Sequence, residues 1–155
     1  MHMVTFDPEQ AVSVVAIQQL VSEWAHELDV NNGIVGMGEL LTEDVAYNVG
    51  GSLRGNRDEV LQFYKDRYAR LEASEEGVPF HRHTLHNLRV DFTGRDTATI
   101  EFGLAYFTTA GVPAKQDHAD PALLSDVFMS VRRGEDGHWR ISRFDSAMTF
   151  HRVNG

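Results

Sequence analysis

The chain has no cysteine among its 155 residues, which removes disulfides, thiolate metal ligands and thiol nucleophiles together. Cations are scarce as well: 14 Lys and Arg stand against 23 Asp and Glu. They are scattered rather than gathered on one face, so nothing draws in a phosphate backbone, and neither nucleic acid nor an anionic membrane is an expected partner. No apolar run approaches the roughly 20 residues that span a bilayer. A secretory signal is missing at the amino terminus, which makes the cytoplasm the expected location. Nucleophile elbow, P-loop and dinucleotide fingerprint are absent; Gly50-Gly51 and Gly55 are turn glycines without the required context. No repeat or low-complexity tract divides the chain, and its length suits one domain over residues 1–155.

What is present reads as helices first and strands afterwards. Asp7 and Pro8 open a helix, and Ile17, Leu20, Val21, Trp24 and Leu28 form its apolar stripe. It should stop at Asn31-Asn32-Gly33. A second, shorter helix fits residues 34–41. Val45, Tyr47 and Val49 alternate as a strand, Gly50-Gly51 turns, and Asn56 caps a third helix with Val60, Leu61, Tyr64, Tyr68 and Leu71 on one face.

A meander follows, through Leu88–Phe92, Ala98–Tyr106, Val127–Val131 and a last strand from Trp139. In that last strand the apolar parity slips between Ile141 and Phe144, which predicts a β-bulge near Ser142 and Arg143. The fold class is α+β, with helices packed on one face of a curved sheet.

The stretch "PFHRHTLHNLRVDF" carries His81, His83 and His86. His81 and His83 share a strand face, but His86 has the wrong parity for a third ligand, no carboxylate follows at a useful spacing, and the pattern His-Glu-x-x-His is missing. Neither metal nor cofactor is expected. By themselves His81 and His86 read as partly exposed residues at a strand entrance.

Asp29 sits in the last turn of the first helix, where the helix dipole disfavours a carboxylate. A histidine across a pocket would supply the compensating positive charge, and the carboxylate would fix its tautomer. Composition alone favours the plainer reading of Asp29 as a solvated helix-end residue. Tyr47 shares parity with Val45 and Val49, so its hydroxyl should point inward and need a partner or a task.

Four segments together, "LVSEWAHELD", "LLTEDVAYNVGG", "HRHTLHNLRVDF" and "GEDGHWRISRFD", resemble the nuclear-transport-factor-2-like superfamily and its SnoaL-like branch, which includes scytalone dehydratase. The resemblance covers nearly the whole chain. It implies a cone-shaped α+β barrel, three helices held in a strongly bent, mixed and mostly antiparallel sheet, with an apolar pocket at the open end.

Dehydratases of this group pair an aspartate ending the first helix with a histidine four residues before an asparagine, and Asp29, His83 and Asn87 match. Tyr47 lies where scytalone dehydratase has a tyrosine that polarises the substrate carbonyl through water. Departures are Leu28 in place of a tyrosine, Thr108 near a second histidine, and Asp126 and Phe128 near a serine and an asparagine. These point away from scytalone itself as substrate.

To make the strand's parity place both His83 and Leu88 inside, an irregularity must fall between them. The resemblance then implies a cofactor-free enzyme that takes a proton from carbon of a small hydrophobic substrate in a dehydration, isomerisation or cyclisation. His83 would be base, Asp29 its partner and Tyr47 the polarising group. Trp24, Phe102, Tyr106, Phe128, Met129, Phe144 and Met148 are candidate pocket lining, with Asp126 beside them. His81 would lie near the pocket mouth, and the loop from Gly111 to Pro121 is a candidate lid. Two other readings stand open: a non-catalytic β subunit of a ring-hydroxylating dioxygenase, and a ligand-binding protein. A homodimer or homotrimer is expected by resemblance.

Overall fold

Asp7 starts the first helix through a reciprocal capping box: its carboxylate accepts the Gln10 N–H at 2.8 Å, and the Gln10 side chain accepts the Asp7 N–H at 3.1 Å. In the computed structural model, which describes residues 4–110 and 120–152, helix α1 then runs Pro8–Asn31. Its stripe of Ile17, Leu20, Val21, Trp24 and Leu28 is buried. Asn32 and Gly33, with φ of 54° and 78°, end it in left-handed geometry. A side chain at position 33 would also strike the Tyr64 ring, since a Cβ there would lie 2.7 Å from Cγ of that ring.

Helix α2 is only Met37–Leu40, shorter than the sequence suggested, because Gly36 and Gly38 are poor helix formers. The preceding turn is held by buried Glu27, which accepts the Val35 and Gly36 N–H groups at 2.8 Å and the Asn31 amide at 2.7 Å. Strand β1 (Leu41–Val49) turns at Gly50-Gly51 into a short β2 (Ser52–Arg54) that alternation did not reveal. Asn56 accepts the Glu59 N–H at 2.9 Å and caps α3 (Arg57–Glu72).

The meander is β3 (His81–Phe92), β4 (Thr97–Thr108), β5 (Leu123–Arg133) and β6 (Trp139–His151). Strand β5 begins four residues earlier than its apolar alternation indicated. The sheet order is β2-β1-β6-β5-β4-β3, with β1 and β6 parallel and every other pair antiparallel. It stays open, with β2 and β3 as edges, and curves around α1 and α3 as an α+β cone.

Bulges set the curvature and decide which side chains face in. Ser130 pairs with Arg143 but Val131 with Ile141, so Ser142 is the extra residue, where the parity slip predicted one. In β3 the register shifts between His86 and Arg89, and Asn87 takes a φ of 54°. The inward set therefore changes from His81, His83 and Leu85 to Leu88, Val90 and Phe92. Most of the loop considered as a lid, residues 111–119, lies outside the described residues. Among the described residues, no helix is long and apolar enough to cross a membrane.

Candidate active site

The last turn of α1 and the first residues of β3 meet at one hydrogen-bonded junction. Both carboxylate oxygens of Asp29 accept the His83 backbone N–H, at 3.0 and 3.1 Å, and Oδ1 lies 2.6 Å from His83 Nδ1. The two side chains are 13% and 14% exposed. An ionised carboxylate can only accept, so this contact places a hydrogen on Nδ1 and leaves the Nε2 lone pair of a neutral ring available. No described residue hydrogen-bonds Nε2. The solvated helix-end reading of Asp29 is thereby replaced: β3 supplies two donors to a carboxylate that its own helix end disfavours.

Two aromatic rings frame the imidazole. Trp24, five residues before Asp29 on α1, meets it edge-on with centroids 6.0 Å apart. Tyr106 sits directly opposite His83 on β4, with centroids 4.9 Å apart. His81 also stacks on Tyr106, at 5.8 Å and an interplanar angle of 20°, with its Nδ1 2.6 Å from the Tyr106 hydroxyl. The expectation of a partly exposed His81 at the pocket mouth is corrected: it is 2% exposed, because it shares the inward parity of His83 and is covered by the neighbouring strand. Burial, then the nearby charges of Arg67 and His83, lower its pKa to about 4.

Tyr47 also departs from expectation. It points inward, but it is wholly enclosed, and its hydroxyl accepts from Trp24 Nε1 at 2.9 Å and shares a 2.8 Å hydrogen bond with Tyr64. Burial raises both phenols, Tyr64 to about 12 and Tyr47 well above its ordinary value. A sealed hydroxyl with these bonds cannot reach a substrate oxygen, so the polarising role expected for Tyr47 is withdrawn.

Asp126 and Phe128 require a second correction. Ser125, Val127, Met129 and Val131 are the buried residues of β5, so the even-numbered side chains between them face outward. Both line a depression on the outer surface with His86 and Asn48, and Phe128 lies 5.8 Å from the Arg143 guanidinium. Phe102 and Phe144 pack against Trp24 at 6.2 and 5.3 Å and are nearly buried, forming the wall behind it. Met148 lies far out on β6, 59% exposed. The structure thus brings Asp29, His83, Trp24 and Tyr106 together. Among the described residues, no three His, Asp or Glu side chains converge as a metal site.

The profile of a SnoaL-like domain matches residues 9–145. This chain belongs to the SnoaL-like domain family. No curated protein matches its sequence significantly, but solved structures share the SnoaL-like fold across nearly its whole length. A hexachlorocyclohexane dehydrochlorinase of LinA type 3 from Novosphingobium barchaimii superposes with a TM-score of 0.73 at 16% identity, covering 95% of this chain and 93% of that one. A candidate scytalone dehydratase from Novosphingobium aromaticivorans gives 0.70 at 17% identity, with 94% and 92% covered. ActVI-ORFA from Streptomyces coelicolor gives 0.72 at 14% identity, with 88% and 97% covered.

The sequence undervalued one residue at this SnoaL-like site, His81, and one in the core beside it, Tyr64. His81 had the right signal, an even spacing from His83 on one strand, but its burial depends on Tyr106 across the sheet. Tyr64 was visible only as a core position of α3. Its bond to Tyr47 joins residues 17 positions apart and leaves no local trace.

Proposed function

We propose that this SnoaL-like protein is an enzyme that removes a proton from carbon of a small hydrophobic substrate without a cofactor, and so drives a dehydration, isomerisation or cyclisation. The observation that carries this reading is the Asp29–His83 contact at 2.6 Å, with no described residue hydrogen-bonded to Nε2. In the proposed reaction Nε2 takes the proton from carbon, and the resulting imidazolium is held against the Asp29 carboxylate. The same proton then goes to a leaving oxygen or to another carbon, restoring the neutral ring. Trp24 and Tyr106 supply apolar faces on which a flat molecule can lie.

The family gives support at the coarser level of small-molecule conversion. Two of the similar structures bear the names of eliminating enzymes, a dehydratase and a dehydrochlorinase. Solvent deuterium exchange into a panel of aromatic and alicyclic carbonyl compounds tests the proposal. Exchange by the wild type that is lost in His83→Gln is expected. Exchange that persists in the variant, or none with any compound, contradicts it.

A further inference from the structure

Withdrawing Tyr47 leaves the reaction without a group to meet the charge that forms when carbon loses a proton. Four tyrosines occur in the chain; Tyr47 and Tyr64 bond each other in the core, and Tyr106 is the one whose ring lies against His83, tilted by 39°. It is half-buried and on the face of β4 that the base shares.

The hydrogen of the Tyr106 hydroxyl can be located from its partner. His81 is nearly fully enclosed, and its Nε2 is buried with no hydrogen-bond partner among the described residues. The depressed pKa keeps the ring neutral, so it carries one hydrogen. With that hydrogen on Nε2, a buried N–H would be orphaned, the rarer and costlier arrangement. With it on Nδ1, the orphan is only a lone pair. His81 Nδ1–H then donates to the Tyr106 oxygen across 2.6 Å. The Tyr106 O–H is left over, and accepting a hydrogen bond strengthens it as a donor.

We propose that Tyr106, ordered by His81, donates its hydroxyl hydrogen to an oxygen of the substrate, which makes the substrate class an enolisable carbonyl compound. The inference rests on the reading of His83 as base. In the step itself the bond from the α carbon to hydrogen breaks, its proton goes to His83 Nε2, and the electron pair moves through carbon to the carbonyl oxygen. That oxygen becomes an enolate bound by Tyr106 O–H. No oxidant or further reactant is needed. A substrate without an acceptor oxygen, such as an alkyl halide, would leave Tyr106 unused.

The test uses 4-nitrophenol, whose visible absorbance reports the anion, and nitrobenzene as its oxyanion-free control. The wild type should bind 4-nitrophenolate, and Tyr106→Phe should bind it about 10-fold or more weakly with nitrobenzene affinity unchanged. Equal affinity of the two proteins for the anion, or no saturable binding by the wild type, overturns the proposal. In the unaltered protein, nitrogen-15 NMR should find His81 protonated at Nδ1; protonation at Nε2 overturns it whatever the fate of the variant. His83→Gln separates the two readings. Should it still exchange deuterium while the Tyr106-dependent anion binding persists, the base assignment fails and the Tyr106 site stands.

Discussion

Trp24 has a hydrogen-bonded cluster on each side, and the two are made of similar residues but finished differently. Below it, Trp24 Nε1, Tyr47 and Tyr64 form a chain of 2.9 and 2.8 Å bonds in which both phenols are buried. Beside its edge, the pairs Asp29–His83 and His81–Tyr106 form shorter bonds, 2.6 Å in each, but His83 and Tyr106 are only half-buried. Burial of polar groups demands partners, and in the first cluster each polar atom has one and is closed off from solvent. In the second, no described residue hydrogen-bonds His83 Nε2. A closed network stiffens a core, whereas a partly open one beside it has capacity for a ligand.

Breaking the open cluster should cost the most. His83→Gln is expected to slow proton abstraction by about 10²–10⁴-fold, read as initial rates on any compound that exchanges deuterium, with little loss of stability. Trp24→Ala strikes both clusters at once: it should lower unfolding free energy by about 3–5 kcal/mol in urea titrations, because it empties a large volume between α1, Phe102 and Phe144.

A pH titration sharpens the contrast further. The folded pKa of His81, about 4, lies below its unfolded value, so the unfolded chain binds the proton more tightly between them. Stability should therefore be full above about pH 6.5 and fall as pH drops toward 4. His81→Asn should flatten that part of the profile in thermal melts across the same range.

In the sealed cluster, Tyr47→Phe should cost about 1–3 kcal/mol of stability, because it leaves the buried Trp24 Nε1–H and Tyr64 hydroxyl without their partner, and should leave exchange rates within a few-fold of wild type. The outer face should matter least. Asp126→Asn should change stability by no more than about 0.5 kcal/mol and leave exchange unaltered, which separates this residue from the pocket to which position counting had assigned it.

How far the sequence reached follows from the range of each interaction. The stripe of α1, the cap at Asp7 and the stop at Asn32-Gly33 are local, and they were legible in full. The bulges at Ser142 and Asn87 were legible because parity is a rule of two, and a slip shows wherever apolar residues change register. Asp29 and His83, 54 positions apart, were joined through family resemblance and not by any local pattern. Asp126 and Phe128 were misplaced by the same device, since counting from a relative ignores the parity that buries Ser125, Val127 and Met129. The enclosure of Tyr47 was invisible, because Trp24 and Tyr64 reach it only in the folded cone.

Deuterium exchange into one carbonyl compound turned over by the wild type, measured side by side for His83→Gln and Tyr47→Phe, tests most directly the claim that the open cluster performs the chemistry. A loss of about 100-fold or more in His83→Gln, with Tyr47→Phe near wild type, is the expected result. A Tyr47→Phe loss as deep as that of His83→Gln would contradict the division between a sealed and an open cluster.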